Sequence, residues 1–375
     1  ERLWEKELVV LSVEERANGR AHRLSFASQG VNAKELVIFS RQLATMVSSG
    51  IPIIGALEVI AQPVKNRVFQ QVLRHSRDAV EGGASLSQAV SHHPRVFSNL
   101  FVNMISAGES SGKLDEILDR LAVYLEKADA LQRKVRASLM YPAVVLCLAV
   151  GVTMFLMIVV VPKFKDIFAA LSGQLPLPTR MLIGTSDFLA KYFVAEVFIA
   201  ALAFVGLRAW IQTENGRRWF DRLLLRLPVF GELFQKVAIA RFARTLATLT
   251  RSGVPILTAL EIVAKTVGNK VVERAILEAR SSVKDGKWLS GPLGQNSVFP
   301  AIAVRMISVG ETTGKLEEML TKIADFYESE VDTAVSGLTT LIEPIVIVVL
   351  GVVVGGIAVA LLLPVFQIPN MVGMH

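Results

Sequence analysis

Two heptapeptides carry the residue types of a phosphate-binding loop: GESSGKL at residues 108–114 and GETTGKL at residues 310–316. Such a loop places Gly, four further residues and Gly-Lys-Ser/Thr between a buried strand and a helix. Its amides cradle phosphate, its lysine reaches the outer phosphates and its hydroxyl binds magnesium. Here three residues separate Gly108 from Gly112, and Gly310 from Gly314, so the nest is one amide short. The hydroxyl position holds Leu114 in one copy and Leu316 in the other. The preceding stretches, NLFVNMISA and AIAVRMISV, read as helical turns and not as strands. What remains is a joint between helices. Gly108 is expected at C′ of one helix, where a positive φ is tolerated. Gly112 admits the turn into the next helix, whose Asp115 and Glu116 suit a positive N-terminus. Lys113 lies four residues after Glu109 and Lys315 four after Glu311, so local charge pairs are expected.

Other chemistry has little to stand on. His92 and His93 are adjacent in a predicted loop, which points their rings apart, and His22, His75 and His375 are scattered. No Ser/His/Asp or Cys/His set can be assembled, and no catalytic, cofactor-binding or metal residue is expected. The single Cys147 excludes a disulfide framework. A net charge of +7 suits a face against anionic membrane lipids, and no basic block of the nucleic-acid type appears.

The elements that hold the joints come from hydropathy. The chain has 375 residues, 52% of them hydrophobic, and a mean hydropathy of +0.48. That composition points to a membrane protein with sizeable soluble parts. Residues 143–162 form a first transmembrane helix, free of charge up to Lys163 and bounded by Pro142. Its twelve Val, Ile, Leu and Phe residues favour insertion by roughly 4 to 7 kcal/mol. Residues 344–366 form a stronger one. Residues 193–211 form a third candidate, with Glu196 and Arg208 within about one turn of its ends, where snorkelling lowers their cost. Lys and Arg near the first two spans divide nine against four in favour of cytoplasmic polar regions. The loop 163–192 and the tail 367–375 then lie outside. The chain begins on Glu1, so further N-terminal sequence is expected, and no signal peptide is visible.

The two joints belong to a long internal repeat. FSRQLATMVSSGIPIIGALE, from Phe39, matches FARTLATLTRSGVPILTALE, from Phe242, at twelve of twenty positions. The echo runs on through Tyr141-Pro142 against Glu343-Pro344, and Pro162–Phe164 against Pro364–Phe366. Each unit is thus a cytoplasmic domain with its own span: residues 33–142 in the first, and residues 212–343, including a linker, in the second. Residues 1–32 are read as an irregular N-terminal segment. Each domain reads as six helices. Asn32 with Glu35 forms a capping box, Gly50-Ile51-Pro52 and Gly253-Val254-Pro255 stop one helix and start the next, and Ser85 with Gln88 caps a short fourth helix. The fifth ends at Gly108, and the sixth runs toward the membrane. The fold class is all-α, with two homologous six-helix bundles and three transmembrane helices. Gly351 and Gly355 form a GxxxG in the last span, a candidate packing face for another helix.

With the two units laid out, the chain resembles the inner-membrane platform family of type IV pilus and type II secretion machines. The likeness rests on FSRQLATMVSSGIPI, FVNMISAGESSGKLDEILDRLA, RKVRASLMYP and LPLPTRMLIGTSDFL, with the second copies FARTLATLTRSGVPIL and MISVGETTGKLEEML. The resemblance implies a non-enzymatic protein that couples a hexameric cytoplasmic assembly ATPase to extraction of pilins or pseudopilins. It also implies other inner-membrane assembly proteins as partners, and a homo-oligomer. Glu343 replaces the tyrosine of the Tyr-Pro pattern in the second unit, which sets the two membrane junctions apart. On this reading Gly108, Glu109, Gly112, Gly310, Glu311 and Gly314 form turns that couple to a partner, the glutamates giving each turn a charged exterior. A small transporter or channel subunit is the alternative, and it would place ionisable groups or broken helices at mid-membrane.

Overall fold

The computed structural model describes residues 30–169, 175–228 and 230–372, without the side chains of 169, 338, 339, 341–343 and 367–372. Most of the expected N-terminal segment and the last three residues of the expected tail lie outside the described residues. Among the described residues every regular element is helical. The first unit comprises α1 (Ala33–Ser48), α2 (Ile53–Ala61), α3 (Arg67–Glu81), α4 (Leu86–Ser91), α5 (Asn99–Ser111) and α6 (Leu114–Phe155). A π-helical turn (Leu156–Val160) carries α6 into α7 (Val161–Ala169), followed by α8 (Leu177–Gln212) and α9 (Glu214–Arg226). The second unit repeats the first as α10 (Phe230–Arg251), α11 (Ile256–Thr266), α12 (Lys270–Lys284), α13 (Ser290–Gly294), α14 (Ala301–Thr313) and α15 (Leu316–Val372).

Local chemistry accounts for most boundaries. Asn32 and Glu35 form a complete capping box at α1, and Ser85 and Gln88 do so at α4. Asn66 and Asn269 cap α3 and α12 by accepting from two backbone amides each. Gly50 and Gly253 adopt φ of 83° and 78°, which ends α1 and α10 ahead of the prolines that open α2 and α11. Phe39, Phe69, Phe97 and Phe101 fill the first core, and Phe242 and Phe299 repeat part of the set in the second. The two cores form one apolar cluster that runs through α6, α10 and α15.

Three helices are long and apolar enough to cross a membrane: residues 114–168, Leu177–Gln212 and Pro344–Phe366 lie within or form them. Two expectations are corrected here. The chain between the first two spans is mostly helix, since α7 and α8 cover much of 163–192. Neither long helix breaks at its membrane junction either: α6 passes through Pro142 and α15 through Pro344. At 1.5 Å per residue the 42 residues of α6 reach roughly 63 Å.

Proline costs a helix a donor, and two prolines in the spans leave a carbonyl bare. In the π turn the Val161 amide bonds to the Leu156 carbonyl, one residue beyond its α-helical partner Met157. The next donor in that register would be residue 162, a proline. The Met157 carbonyl is therefore orphaned, and the buried Ser186 hydroxyl of α8 donates to it. In α15, Pro364 orphans the carbonyl of Ala360, four residues earlier, and the buried Thr179 hydroxyl donates there. Thr179, Ile183 and Ser186 share one face of α8 at helical spacing, against Met157, Val161, Ile357 and Leu361. The middle helix thus seals equivalent defects in the two homologous spans. Lys165 pairs with Asp187 at 2.7 Å beside this seam.

Thr179→Val should cost about 1–2 kcal/mol of stability in detergent, because a buried carbonyl loses its donor. In a Pro364→Ala background, where residue 364 regains its amide, the same change should cost less than half as much. Equal costs in both backgrounds would show that the hydroxyl does not serve the proline defect.

Candidate functional site

Each repeated turn is built by the division of labour within its heptapeptide. Gly108 does not end α5, as the sequence suggested. The helix runs three residues further, and Gly112 takes the left-handed conformation at φ 68°. Gly310 and Gly314 repeat this, with Gly314 at φ 70°. The Lys113 amide donates to the Gly108 carbonyl at 3.0 Å and the Gly112 amide to the Glu109 carbonyl at 3.4 Å, the paired bonds of a Schellman end. Gly108 has another task. A Cβ on it would lie 3.1 Å from Ile117 Cβ and 3.2 Å from Leu114 Cα. At Gly310 the corresponding approach is 2.8 Å to Leu316 Cα, closer than real side chains allow. The glycine lets the helix before the turn lie directly on the helix after it.

Glu109 and Glu311 also depart from expectation. Neither pairs with the lysine four residues on; Lys113 sits 3.8 Å from Glu116 and Lys315 3.9 Å from Glu318. The Glu109 carboxylate instead accepts from the Leu86 amide at 2.6 Å and from the Ser87 hydroxyl at 2.5 Å, with a longer bond from the Ser87 amide. Glu311 accepts from the Leu289 amide and, at 3.0 Å, from the Ser290 amide. Each glutamate ties the start of the short fourth helix of its unit to the turn that launches the long one. Half-buried and engaged, it is an internal brace and not a charged exterior.

A second construction was not read from the sequence. Arg41 of α1 forms a two-pronged bond to Glu126 of α6, at 2.6 and 2.7 Å, and reaches Asp119 at 2.7 Å. Arg244 of α10 does the same with Glu328 of α15, at 2.8 Å on both prongs, and also bonds Asp325. The signal was available: Arg41 and Arg244 occupy the same place in FSRQLAT and FARTLAT. Bonding to Arg41 holds the Glu126 carboxyl below its usual range. Burial works to raise Asp325, but Arg244 and Lys127 outweigh it and hold it low.

Between the units lies a cleft of about 560 Å³, lined among others by Arg120, Tyr124, Lys127, Arg244 and Asp325. Lys127 of the first unit bridges to Asp325 at 3.3 Å and Glu328 at 3.8 Å of the second, and Lys134 pairs with Asp332. Tyr124 and Thr245 share a hydroxyl bond at 3.1 Å, and burial pushes the Tyr124 phenol up. Arg120 donates to the Arg251 carbonyl at 2.5 Å. The two helical units therefore clasp each other through α6, α10 and α15.

The other singled-out residues stand apart from these sites. Tyr141 is exposed on α6, and the side chain of Glu343 lies outside the described residues. Glu196 is half-buried on α8, without an ion pair among the described residues. Gly351 and Gly355 are exposed, and a Cβ on either would meet nothing within 4 Å, so this seam of α15 packs on nothing among the described residues. His75 and His93 stack at 6.0 Å, and among the described residues no three metal-ligating side chains converge.

Comparison with known proteins is consistent across the chain. A family model described as type II secretion system (T2SS), protein F matches twice, at residues 39–162 and 242–364. The chain is 46% identical to the type IV pilus assembly protein PilC of Thermus thermophilus over 92% of its own length and 85% of that protein. It is 43% identical to the PilC protein of Myxococcus xanthus over 92% and 82% of the two chains. It is 35% identical to the type II secretion system protein F of Aeromonas hydrophila over 98% and 95%.

Glu109→Ala should destabilise the full chain in detergent by about 2 kcal/mol, as charge-assisted bonds to backbone amides are lost. Lys113→Ala should cost under about 0.5 kcal/mol. Similar losses for the two would contradict the brace. The low carboxyls of Glu126 and Asp325 give a signed pH dependence. Their stabilisation is present above the unfolded carboxylate pKa and is lost as pH falls through the lower folded value. The melting temperature should therefore drop below about pH 4, and by less in Arg41→Gln with Arg244→Gln. An equal drop in that variant would show that these arginines are not its cause.

Proposed function

The chain belongs to the type II secretion system protein F family, and on that premise we propose that it is a non-enzymatic inner-membrane platform of a type IV pilus machine. The observation that carries the reading is the repeat itself: twice, a braced six-helix domain continues without a break into an apolar helix able to span a bilayer. Identity is higher to the two pilus assembly proteins than to the secretion protein, which favours the pilus over a secretion machine. The phosphate-loop resemblance is accounted for by helix-end geometry, which supports the non-enzymatic reading. A transporter or channel would place charged groups at mid-membrane, whereas the first and third spans carry no Asp, Glu, Lys, Arg or His between Pro142 and Lys163 or between Glu343 and His375.

In this role the chain receives force from a hexameric cytoplasmic assembly ATPase and passes it to pilins, as a homo-oligomer among other inner-membrane assembly proteins. The turns at Gly108, Glu109 and Gly112, and at Gly310, Glu311 and Gly314, act as couplers from within. A load on α4 and α5 passes through the Glu109 brace to the start of α6, and α6 conducts it to the membrane. Tyr141-Pro142 and Glu343-Pro344 mark where the two conducting helices enter the bilayer.

Topology tests the arrangement. In a Cys147→Ser background, Leu177→Cys should react with an impermeant thiol reagent on spheroplasts, while Ser110→Cys and Thr312→Cys react only after lysis. Labelling of Thr312→Cys from outside would remove the second domain from the cytoplasm. Cells lacking the chain should assemble no pili, and the purified protein should show no saturable ATP binding; saturable binding would overturn the non-enzymatic assignment.

A further inference from the structure

Helix α9 starts two residues after α8 ends, with only Thr213 between them. It is held in one orientation by two constraints. Gly216 lies so close to the end of α8 that a Cβ would sit 2.0 Å from the Trp210 carbonyl oxygen. On the next turn Asp221, nearly buried, accepts from the Lys270 amide at 2.7 Å and so pins α9 to the first turn of α12. The helix cannot roll, and the face away from these contacts is open.

That face has a definite composition. Arg218, Arg222 and Arg226 recur every four residues and form one exposed stripe. Trp219 and Leu223 form an exposed stripe beside it, continued by Leu227 just past the helix end. Trp219, 55% exposed, stands 5.4 Å from Trp210, itself exposed on the last turn of α8. Arg218 has a loose pair with Glu214 at 3.6 Å, and Arg217, Arg222 and Arg226 have no ion pair among the described residues. The one other carboxylate of the helix, Asp221, points inward. A soluble face seldom leaves tryptophan and two leucines beside three arginines of which only Arg218 has a carboxylate partner. An interfacial helix does so by design: apolar and indole groups enter the headgroup boundary while arginines meet phosphate.

We propose that α9 is an interfacial helix that binds the anionic phospholipid headgroups of the leaflet where α8 ends. The proposal rests on the membrane reading of α8, since connectivity through Thr213 is what sets α9 at the bilayer surface. Charge complementarity selects the occupant: the stripe is wholly basic, and the cytoplasmic leaflet carries the anionic lipid. Because Asp221 joins α9 to α12, headgroup binding also holds the second cytoplasmic domain at a set height on the membrane.

The test uses the full chain with Cys147→Ser and Leu223→Cys, carrying an environment-sensitive NBD label, in lipid nanodiscs. Replacing half of the phosphatidylcholine by phosphatidylglycerol should raise the emission about two- to threefold and shift it to the blue, and high salt should reverse the change. Arg218→Gln with Arg222→Gln and Arg226→Gln should abolish the response, while lysine at the same three positions should keep it. A control label at Leu202→Cys, on the exposed apolar face of α8, should be shielded in both lipid mixtures. An unshielded control would sink the membrane reading itself. A shielded control with a Leu223→Cys label indifferent to phosphatidylglycerol, or a glutamine variant that responds unchanged, would overturn the proposal and leave the face to a protein partner.

Discussion

A backbone amide or carbonyl without a partner is the constraint around which this chain is arranged. At four places where the fold turns or passes a proline such a group is left, and a side chain from another helix meets it. Glu109 and Glu311 meet the first amides of α4 and α13. Ser186 and Thr179 meet the carbonyls bared by Pro162 and Pro364. In an apolar surrounding an unmet group costs several kcal/mol, so these four contacts fix which helices must lie together. Gly108 and Gly310 add a separate close approach, of the helix before each turn to the helix after it.

The two units are copies, yet they are not used identically. Lys127 and Lys134 of the first unit reach acids of the second, so α6 and α15 are tied along the stretch that leaves the helical bundle. Farther along, α8 holds the same pair of helices through its two hydroxyls. The first span absorbs its proline with a π turn, which moves the bare carbonyl from residue 158 to Met157; the third keeps α geometry and bares Ala360. The copies thereby present their defects to one face of α8, at positions seven residues apart.

Much of this was legible in the residues. The capping boxes at Asn32 and Ser85, the stops at Gly50 and Gly253, the repeat and the three apolar segments all depend on local pattern. The turn was misread where local and long-range reasons use the same residue type. Glycine ends helices and also permits close approach, and only the fold reveals that Gly112 does the first and Gly108 the second. Likewise Glu109 has a lysine four residues on, but its true partner is an amide 23 residues back in the chain. Nothing local separates these choices. Thr179 and Ser186 were inside a stretch already singled out, LPLPTRMLIGTSDFL, and their spacing around Ile183 marks one helical face. Their role emerges only when each is matched to a proline in a different span.

Together these contacts make the two helical units and the long helices a single stiff body. Spin labels at Ser110→Cys and Thr312→Cys, on the exposed shoulders of the two turns in a Cys147→Ser chain, measure it directly by electron–electron distance spectroscopy in nanodiscs. A stiff body gives one narrow distance distribution. A broad or two-peaked distribution would mean that the units move independently, and that the braces do not carry load between them.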